Sequence, residues 1–272
     1  MCTAKINGLD LYFERHGEQG EPLVLVHGYT GDITDWRYQV PEFARDHRLL
    51  IFDHRGHGRS EAPSDRTAYT VEQMADDAEA LVAEVGFDRY HLLGHSMGGA
   101  VVQEIALRRP ERLLSLTLED TSYQFGLGRN EAVRKWSASR HRLAEEQGMR
   151  AVAEMAPVAA PPPHQTEERR QQERERLSAM SVDAFIGAWT HALEGWPGVR
   201  ERLGEIAVPT LVICGELDAG LTHAAEVLGS TIPGARLEMI PEAGHSPQYE
   251  RPEIFNRVLR QHITGHAAAS AK

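Results

Sequence analysis

The chain has 272 residues, 41% of them hydrophobic and 25% charged, which is typical of one large globular domain and excludes a mainly disordered chain. The formal net charge is −11, so nucleic acid and anionic membrane surfaces are not expected partners. Two cysteines are too few for a disulfide framework, and neither a signal segment nor an apolar run of about 20 residues is present, so we expect a soluble, cytoplasmic protein.

Strand and helix patterns alternate along most of the chain. The first segment, KINGLDLYFERHG, predicts an antiparallel sheet edge, and short apolar, β-rich runs follow at 23–26, 49–52, 90–93, 114–118, 210–214 and 236–240. One intervening helix has clear boundaries, because Thr70 and Gln73 form a capping-box pattern and Gly86 ends the apolar stripe. The alternation predicts the α/β class, with a doubly wound, mostly parallel β-sheet.

The alternation stops after the run at 114–118, the sixth predicted strand. Because about eighty residues are too long for an ordinary loop, we predict a helical cap inserted there. The predicted divisions are 1–122 with 206–265 for the core, 123–205 for the cap and 266–272 for a flexible tail.

The predicted cap contains a Pro-rich hinge, APVAAPPPH, and a charge run, EERRQQERER, which we interpret as a solvated helix face. Its tryptophans, Trp136, Trp189 and Trp196, are candidate substrate-pocket residues. For each of them, packing of the cap against the core is the alternative.

The stretch LLGHSMGGAVV interrupts an apolar strand with a serine between glycines. Gly94, Ser96 and Gly98 satisfy the pattern G-x-S-x-G, with a strand pattern ending at Leu93 and a helix pattern beginning directly afterwards. A strand-to-helix turn this tight strains its central residue and needs glycines on both sides. It also exposes the serine hydroxyl beside a helix N-terminus, where developing negative charge is stabilised. A serine that only caps the helix is the structural alternative.

These residues resemble the nucleophile elbow of the α/β-hydrolase fold superfamily, and the likeness covers nearly the whole chain outside the cap. His27-Gly28 after the run 23–26 is similar to the family's oxyanion loop, and DHRGHGRS at 53–60 resembles its D-x-R-G-x-G-x-S loop. The resemblance is to the capped serine esterase and lactonase type. It implies that the backbone amides of Tyr29 and Met97 form an oxyanion hole.

A serine nucleophile needs a base, and the base needs an orienting acid. The family's chain order is serine, acid, histidine, and Asp218 and His245 follow predicted strands in that order. Asp120 and Glu216 are the rivals for the acid. The predicted catalytic residues are therefore Ser96, Asp218 and His245.

This constellation predicts a serine hydrolase that cleaves a carboxylic ester of a small, largely apolar molecule through an acyl-enzyme. No cofactor is expected, and no metal site, since the sequence lacks a Cys/His cluster with zinc spacing. Lactone or carbon–carbon bond hydrolysis, a lyase and a small-molecule-binding protein on the same fold are the alternatives. The sequence does not predict the oligomeric state.

Overall fold

The computed structural model describes residues 2–126, 131–155 and 166–267. The predicted Pro-rich hinge and most of the predicted tail fall outside these residues. The strands are β1 Cys2–Ile6, β2 Leu9–His16, β3 Pro22–Val26, β4 Arg48–Phe52, β5 Tyr90–His95, β6 Leu113–Glu119, β7 Thr210–Gly215 and β8 Arg236–Ile240. The helices are α1 Val40–Phe43, α2 Val71–Glu84, α3 Met97–Arg108, α4 Glu131–Gln147, α5 Met149–Glu154, α6 Glu167–Ala179, α7 Val182–Gly187, α8 Thr222–Thr231, α9 Pro247–Glu250 and α10 Pro252–Ala267.

The described strands form one sheet in the order β1-β2-β4-β3-β5-β6-β7-β8. The pairs β1–β2 and β2–β4 are antiparallel, whereas all pairs from β4 to β8 are parallel. The predicted antiparallel edge and the doubly wound, mostly parallel sheet are thus confirmed. The carboxyl ends of β3, β5, β6, β7 and β8 meet at one edge of the sheet, where such folds bind their ligands.

Alternate residues of β3, β4, β5 and β7 belong to two separate cores. In β3, Val24 and Val26 pack in the core that includes residues of α2, α3 and α8, whereas Leu23 and Leu25 pack with residues of α1 and α10. Because both faces are covered, nearly every side chain of these strands is buried, which explains their continuous apolar runs. The edge strand β8 is only partly buried.

The boundaries of α2 agree with its sequence signals. The Thr70 hydroxyl accepts a hydrogen bond from the Gln73 amide at 3.2 Å, and the Gln73 side chain in turn accepts one from the Thr70 amide at 3.4 Å. Gly86, just beyond the helix, has φ +77°. This left-handed conformation is readily available only to glycine, so the predicted stop is confirmed.

The segment between β6 and β7 includes α4 to α7, a π-helical stretch at Ala188–Glu194 and a 3-10 helix at Arg200–Glu205. The predicted helical insertion after the sixth strand is confirmed. Among the described residues, we find no helix with the length and apolar character needed to cross a membrane.

The interpretation of the charge run as a solvated helix face is wrong for two of its arginines. In α6, the side chains of Arg169 and Arg176 are only 3% and 15% exposed. Both donate to Asp35 Oδ1, at 2.6 and 2.8 Å, and Asp35 is itself buried. The run therefore docks the cap onto the core through a buried ion-pair cluster, while its other charged residues face solvent.

Candidate active site

Ser96 lies on a strained turn between β5 and α3. Its backbone has φ +53° and ψ −118°, a conformation that costs a serine about 1–3 kcal/mol. Its glycine neighbours permit the turn: a Cβ on Gly98 would lie 2.3 Å from the carbonyl oxygen of Val26, and one on Gly94 would lie 2.3 Å from that of Gly98. The predicted strand–turn–helix setting of Ser96 is therefore present.

The two other predicted catalytic residues are His245, which contacts Ser96, and Asp218, which contacts His245. His245, in the loop after β8, places Nε2 3.0 Å from Ser96 Oγ, and its Nδ1 is 2.6 Å from Asp218 Oδ2. Because an ionised carboxylate only accepts, Nδ1 carries the proton, which leaves Nε2 to accept from the serine hydroxyl. Asp218 follows β7, so the three residues come from three loops at the same sheet edge.

The electrostatics of this pair favour an ionised Asp218 beside a basic His245. Burial acts to raise the pKa of Asp218, but the His245 hydrogen bond and charge outweigh it, and the pKa is lowered. Partial burial acts to lower the pKa of His245, but the hydrogen bond and charge of Asp218 outweigh it, and the pKa is raised. Such a histidine can accept a proton from the serine more readily than a free imidazole can.

Asp120, the rival for the acid, lies next to this pair without a hydrogen bond to His245. Its Oδ1 accepts from the Gly215 amide at 3.0 Å, and its Oδ2 has no hydrogen-bond partner among the described residues. Burial raises its pKa well above the usual value. Glu216 is exposed. Of the three candidate acids, Asp218 is the one in contact with His245.

Two further residues, neither of them predicted from the sequence to do so, hold the loop of His245. The carbonyl oxygen of His245 accepts a 2.7 Å hydrogen bond from His95 Nε2, and burial lowers the pKa of His95 to about 3, so this ring stays neutral. The carboxylate of Glu250 accepts from the amides of Gly244 and Ser246, at 2.6 and 3.2 Å. The loop is therefore held on both sides of the imidazole.

The loop of His27 and Gly28 lies against the elbow. A Cβ on Gly28 would be 2.9 Å from Ser96 Cβ, so the backbone that leads into Tyr29 packs closely against the serine. His27 Nε2 accepts from the His54 amide at 3.0 Å, so its Nδ1 carries the proton and donates to the Gly28 carbonyl at 2.8 Å. His27 thereby holds the loop in shape. Met97 begins α3, where helix amides are not used by the helix itself.

The structure brings two of the three predicted pocket tryptophans together. Trp136 and Trp189 have ring centroids 5.9 Å apart, and Trp189 lies 5.6 Å from the ring of Tyr29. Trp196 lies away from this pair, since its indole Nε1 donates to Glu104 at 3.0 Å. Glu104 is eight residues along α3 from Ser96, which is about 12 Å at the usual helical rise. Trp196 packs the cap against the core.

One group among the described residues has the composition of a metal site. The ligand atoms of Asp120, Asp218 and His245 all lie within 4.8 Å of one another. However, Nδ1 of His245 and Oδ2 of Asp218 are 2.6 Å apart. Two ligands of one tetrahedral metal, each about 2.1 Å from it, would be separated by roughly 3.4 Å. The geometry is that of a hydrogen-bonded pair.

Comparison with known proteins assigns the family. A family model described as "alpha/beta hydrolase fold" matches residues 21–252. The chain is 28% identical over 251 residues to a protein of Bacillus subtilis provisionally named 2-succinyl-6-hydroxy-2,4-cyclohexadiene-1-carboxylate synthase, covering 90% of each chain. It is 31% identical over 260 residues to one of Azorhizobium caulinodans provisionally named carbamate hydrolase RutD, covering 92% of this chain and 93% of the relative.

A solved structure supports the same assignment. The enol-lactonase from Burkholderia xenovorans LB400 superposes with a TM-score of 0.85 and 26% identity, covering 97% of this chain and 100% of that one. The names of these relatives state different chemistries. Because the family model matches well over half of the chain, the protein belongs to the α/β hydrolase fold family, and the comparisons support a hydrolase activity.

Proposed function

We propose that the protein is a serine hydrolase that cleaves a carboxylic ester of a small, largely apolar molecule. The observation that carries the proposal is the contact of Ser96 Oγ with His245 Nε2 at 3.0 Å, on a strained elbow, with Asp218 bonded to the opposite ring nitrogen. A strained backbone is retained when the surrounding structure or the function requires it. A capping or purely structural serine would need neither the strain nor the histidine.

The proposed reaction has two halves. Ser96 Oγ attacks the ester carbonyl while His245 takes the hydroxyl proton, and His245 then gives that proton to the departing alcohol. In the second half, the same imidazole takes a proton from water, the resulting hydroxide attacks the acyl carbonyl, and the imidazole returns the proton to Ser96 Oγ as the acid departs. Asp218 holds the imidazole in the required tautomer and stabilises its charged form. The backbone amides of Tyr29 and Met97 are proposed to bind the oxyanion of each tetrahedral intermediate.

The aromatic residues above the oxyanion loop support an apolar substrate. Tyr29 stacks on Phe185 with ring centroids 5.7 Å apart, and Trp189 and Trp136 continue the cluster. We refer to Tyr29, Trp136, Phe185 and Trp189 as the aromatic cluster. The proposed cap, residues 123–205, supplies all of it except Tyr29. Lactone hydrolysis is the second candidate, because the enol-lactonase of Burkholderia xenovorans is among the similar structures.

The test is hydrolysis of 4-nitrophenyl esters of increasing acyl length by the wild-type protein and by Ser96→Ala. Ser230→Ala is the matched control, because this exposed serine of α8 bonds only to carbonyl groups of its own helix. We expect the Ser96 variant to lose several orders of magnitude in kcat and the Ser230 variant to match wild type. Substantial activity in folded Ser96→Ala would contradict the proposal. Turnover of lactones but not of open esters would favour the second candidate.

A further inference from the structure

One arginine of the cap differs from the other buried arginines. Arg140, in α4, is half-buried, and its Nε is fully enclosed without a hydrogen-bond partner. Arg55 pairs with Asp77 at 2.7 Å, and Arg169 with Asp35 at 2.6 Å. Arg140 makes no ion pair or hydrogen bond within the part of the chain that the structure describes. A partly desolvated guanidinium is costly when no anion accompanies it.

The neighbours of Arg140 are aromatic rather than acidic. Its guanidinium carbon lies 4.6 Å from the ring centroid of Trp136 and 5.2 Å from that of Phe185. These cation–π contacts place the group against two aromatic rings and use none of its N–H donors. Burial lowers the pKa of Arg140, and the Tyr29 phenol is the titratable group that opposes the shift. The pKa of an arginine is high enough that the group stays charged.

Arg140 belongs to the surroundings of the proposed nucleophile. Phe185, over which the guanidinium lies, stacks on Tyr29, and the Tyr29 hydroxyl donates to the Phe185 carbonyl at 2.9 Å. Tyr29 directly follows Gly28, which contacts Ser96. The cation is therefore connected to the proposed oxyanion loop through two packed rings, on the side that the cap covers.

We propose that Arg140 binds a carboxylate group of the substrate, so that the preferred ester is acidic at one end and apolar between that end and the scissile bond. This inference rests on the proposed function for the identity of the bond that is cleaved. A guanidinium matches a carboxylate with two parallel N–H donors, and the flanking rings hold it in one orientation. The acid then aligns the ester with Ser96.

A single carboxylate fits better than a phosphate dianion. The nearest second base on α4, His141, has its pKa lowered, chiefly by burial, so it stays neutral and adds no second positive charge. Its ring lies 5.8 Å from Phe185 and 6.3 Å from Trp189, within the same group of side chains. Because the whole chain carries a net charge of −11, a local cation is needed to hold an anion there.

Three esters with matched chains test the proposal. They are 4-nitrophenyl hydrogen glutarate, with the acid on the acyl side, 4-carboxyphenyl pentanoate, with the acid on the leaving side, and the neutral 4-nitrophenyl pentanoate. Arg140→Gln removes the charge and keeps most of the length, and Arg140→Lys keeps the charge without the planar fork. Arg142→Gln is the matched control, because Arg142 is exposed on the same helix.

We expect kcat/KM for at least one acidic ester to exceed that for the neutral ester. Arg140→Gln should lower that value about ten- to a hundredfold, the range of a hydrogen bond to a charged group. The same variant should change the neutral ester less than threefold, Arg140→Lys should recover part of the loss, and Arg142→Gln should behave as wild type. An equal effect of Arg140→Gln on acidic and neutral esters would assign Arg140 a packing role and overturn the proposal.

A binding measurement separates this proposal from the proposed function. Calorimetric titration of the same esters is made into Ser96→Ala and into Ser96→Ala with Arg140→Gln. A dissociation constant at least tenfold weaker in the double variant, for an acidic ester only, supports the carboxylate site even if the wild-type protein cleaves no ester. Equal dissociation constants overturn the carboxylate site even if ester hydrolysis is established. The melting temperature of each variant shows that it is folded.

Discussion

Removing the carboxylate of Asp35 should strongly destabilise the protein. Asp35 is 4% exposed and accepts from Arg169 and Arg176, so Asp35→Ala leaves two buried guanidinium groups without their shared partner. Breaking a buried ion pair costs about 3–5 kcal/mol. Because Arg169 keeps Glu173 at 2.8 Å and Arg176 keeps Asp32 at 3.3 Å, we expect the lower end, about 3 kcal/mol. For a chain of this size, that is a fall in Tm of roughly 6–12 °C.

The free energy of unfolding is measured by urea titration, with thermal melts in parallel. Arg174→Ala is the control, because Arg174 is 39% exposed and pairs with Glu167 on the surface of the same helix, where a pair is worth about 0–1 kcal/mol. Replacing Asp35, Arg169 and Arg176 together by Leu, Met and Met should restore much of the stability lost in the single variant. A loss below about 1 kcal/mol in Asp35→Ala, no larger than in the control, would refute the reasoning.

The stabilisation by Asp35 should also depend on pH. Although burial acts to raise the pKa of Asp35, the charges of Arg176 and Arg169 outweigh it and lower the pKa strongly. A carboxyl with a lowered pKa in the folded state stabilises the protein above its unfolded pKa, near 3.9, and this contribution falls as the unfolded chain takes up protons below that pH. The difference between wild type and Asp35→Ala should therefore be constant at pH 6–8 and shrink below about pH 4.

Three further predictions concern the site. The base must be neutral to act, and the pKa of His245 is raised. The midpoint of the acidic limb of the kcat/KM profile for a neutral ester should therefore lie above pH 6.5, the ordinary value. A midpoint below that value would contradict the raised pKa. Asp218→Asn should lower kcat by about a thousand- to ten-thousandfold, because Asp218 bonds to His245. Asp120→Asn should lower it less than about tenfold, because Asp120 bonds to the Gly215 amide instead. The reverse order would move the acid to Asp120. Gly98→Ala places a Cβ 2.3 Å from the Val26 carbonyl oxygen. The purified variant should therefore melt at a lower temperature and lose most esterase activity. Wild-type values for both would show that the elbow tolerates a side chain.

Local patterns were sufficient to predict the sheet and the elbow. The continuous apolar runs reflect strands buried on both faces, and the glycines beside Ser96 reflect contacts that a Cβ would prevent. The choice of Asp218 and His245 depended on their positions after strands. Both side chains are in the contacts described above, while their catalytic roles, like those of Tyr29 and Met97, remain predictions.

Contacts between distant parts of the chain could not be predicted. Arg169 and Asp35 are 134 positions apart, and His95 and His245 are 150 apart. A run of alternating charges looks the same on a solvated helix as on one that inserts two arginines into a buried site. In the same way, nothing in the local sequence around Arg140 distinguishes it from the exposed Arg142, two positions later on the same helix.

Covalent trapping tests the central claim, that Ser96 is the nucleophile, most directly. The wild-type protein is incubated with diethyl 4-nitrophenyl phosphate, and the adduct is located by intact-mass and peptide mass spectrometry. We predict one diethylphosphoryl group per chain, on the peptide that contains Ser96, with esterase activity lost in proportion. Ser96→Ala should take up none, and His245→Ala should react much more slowly. Failure to label Ser96, or labelling elsewhere with esterase activity retained, would contradict the account.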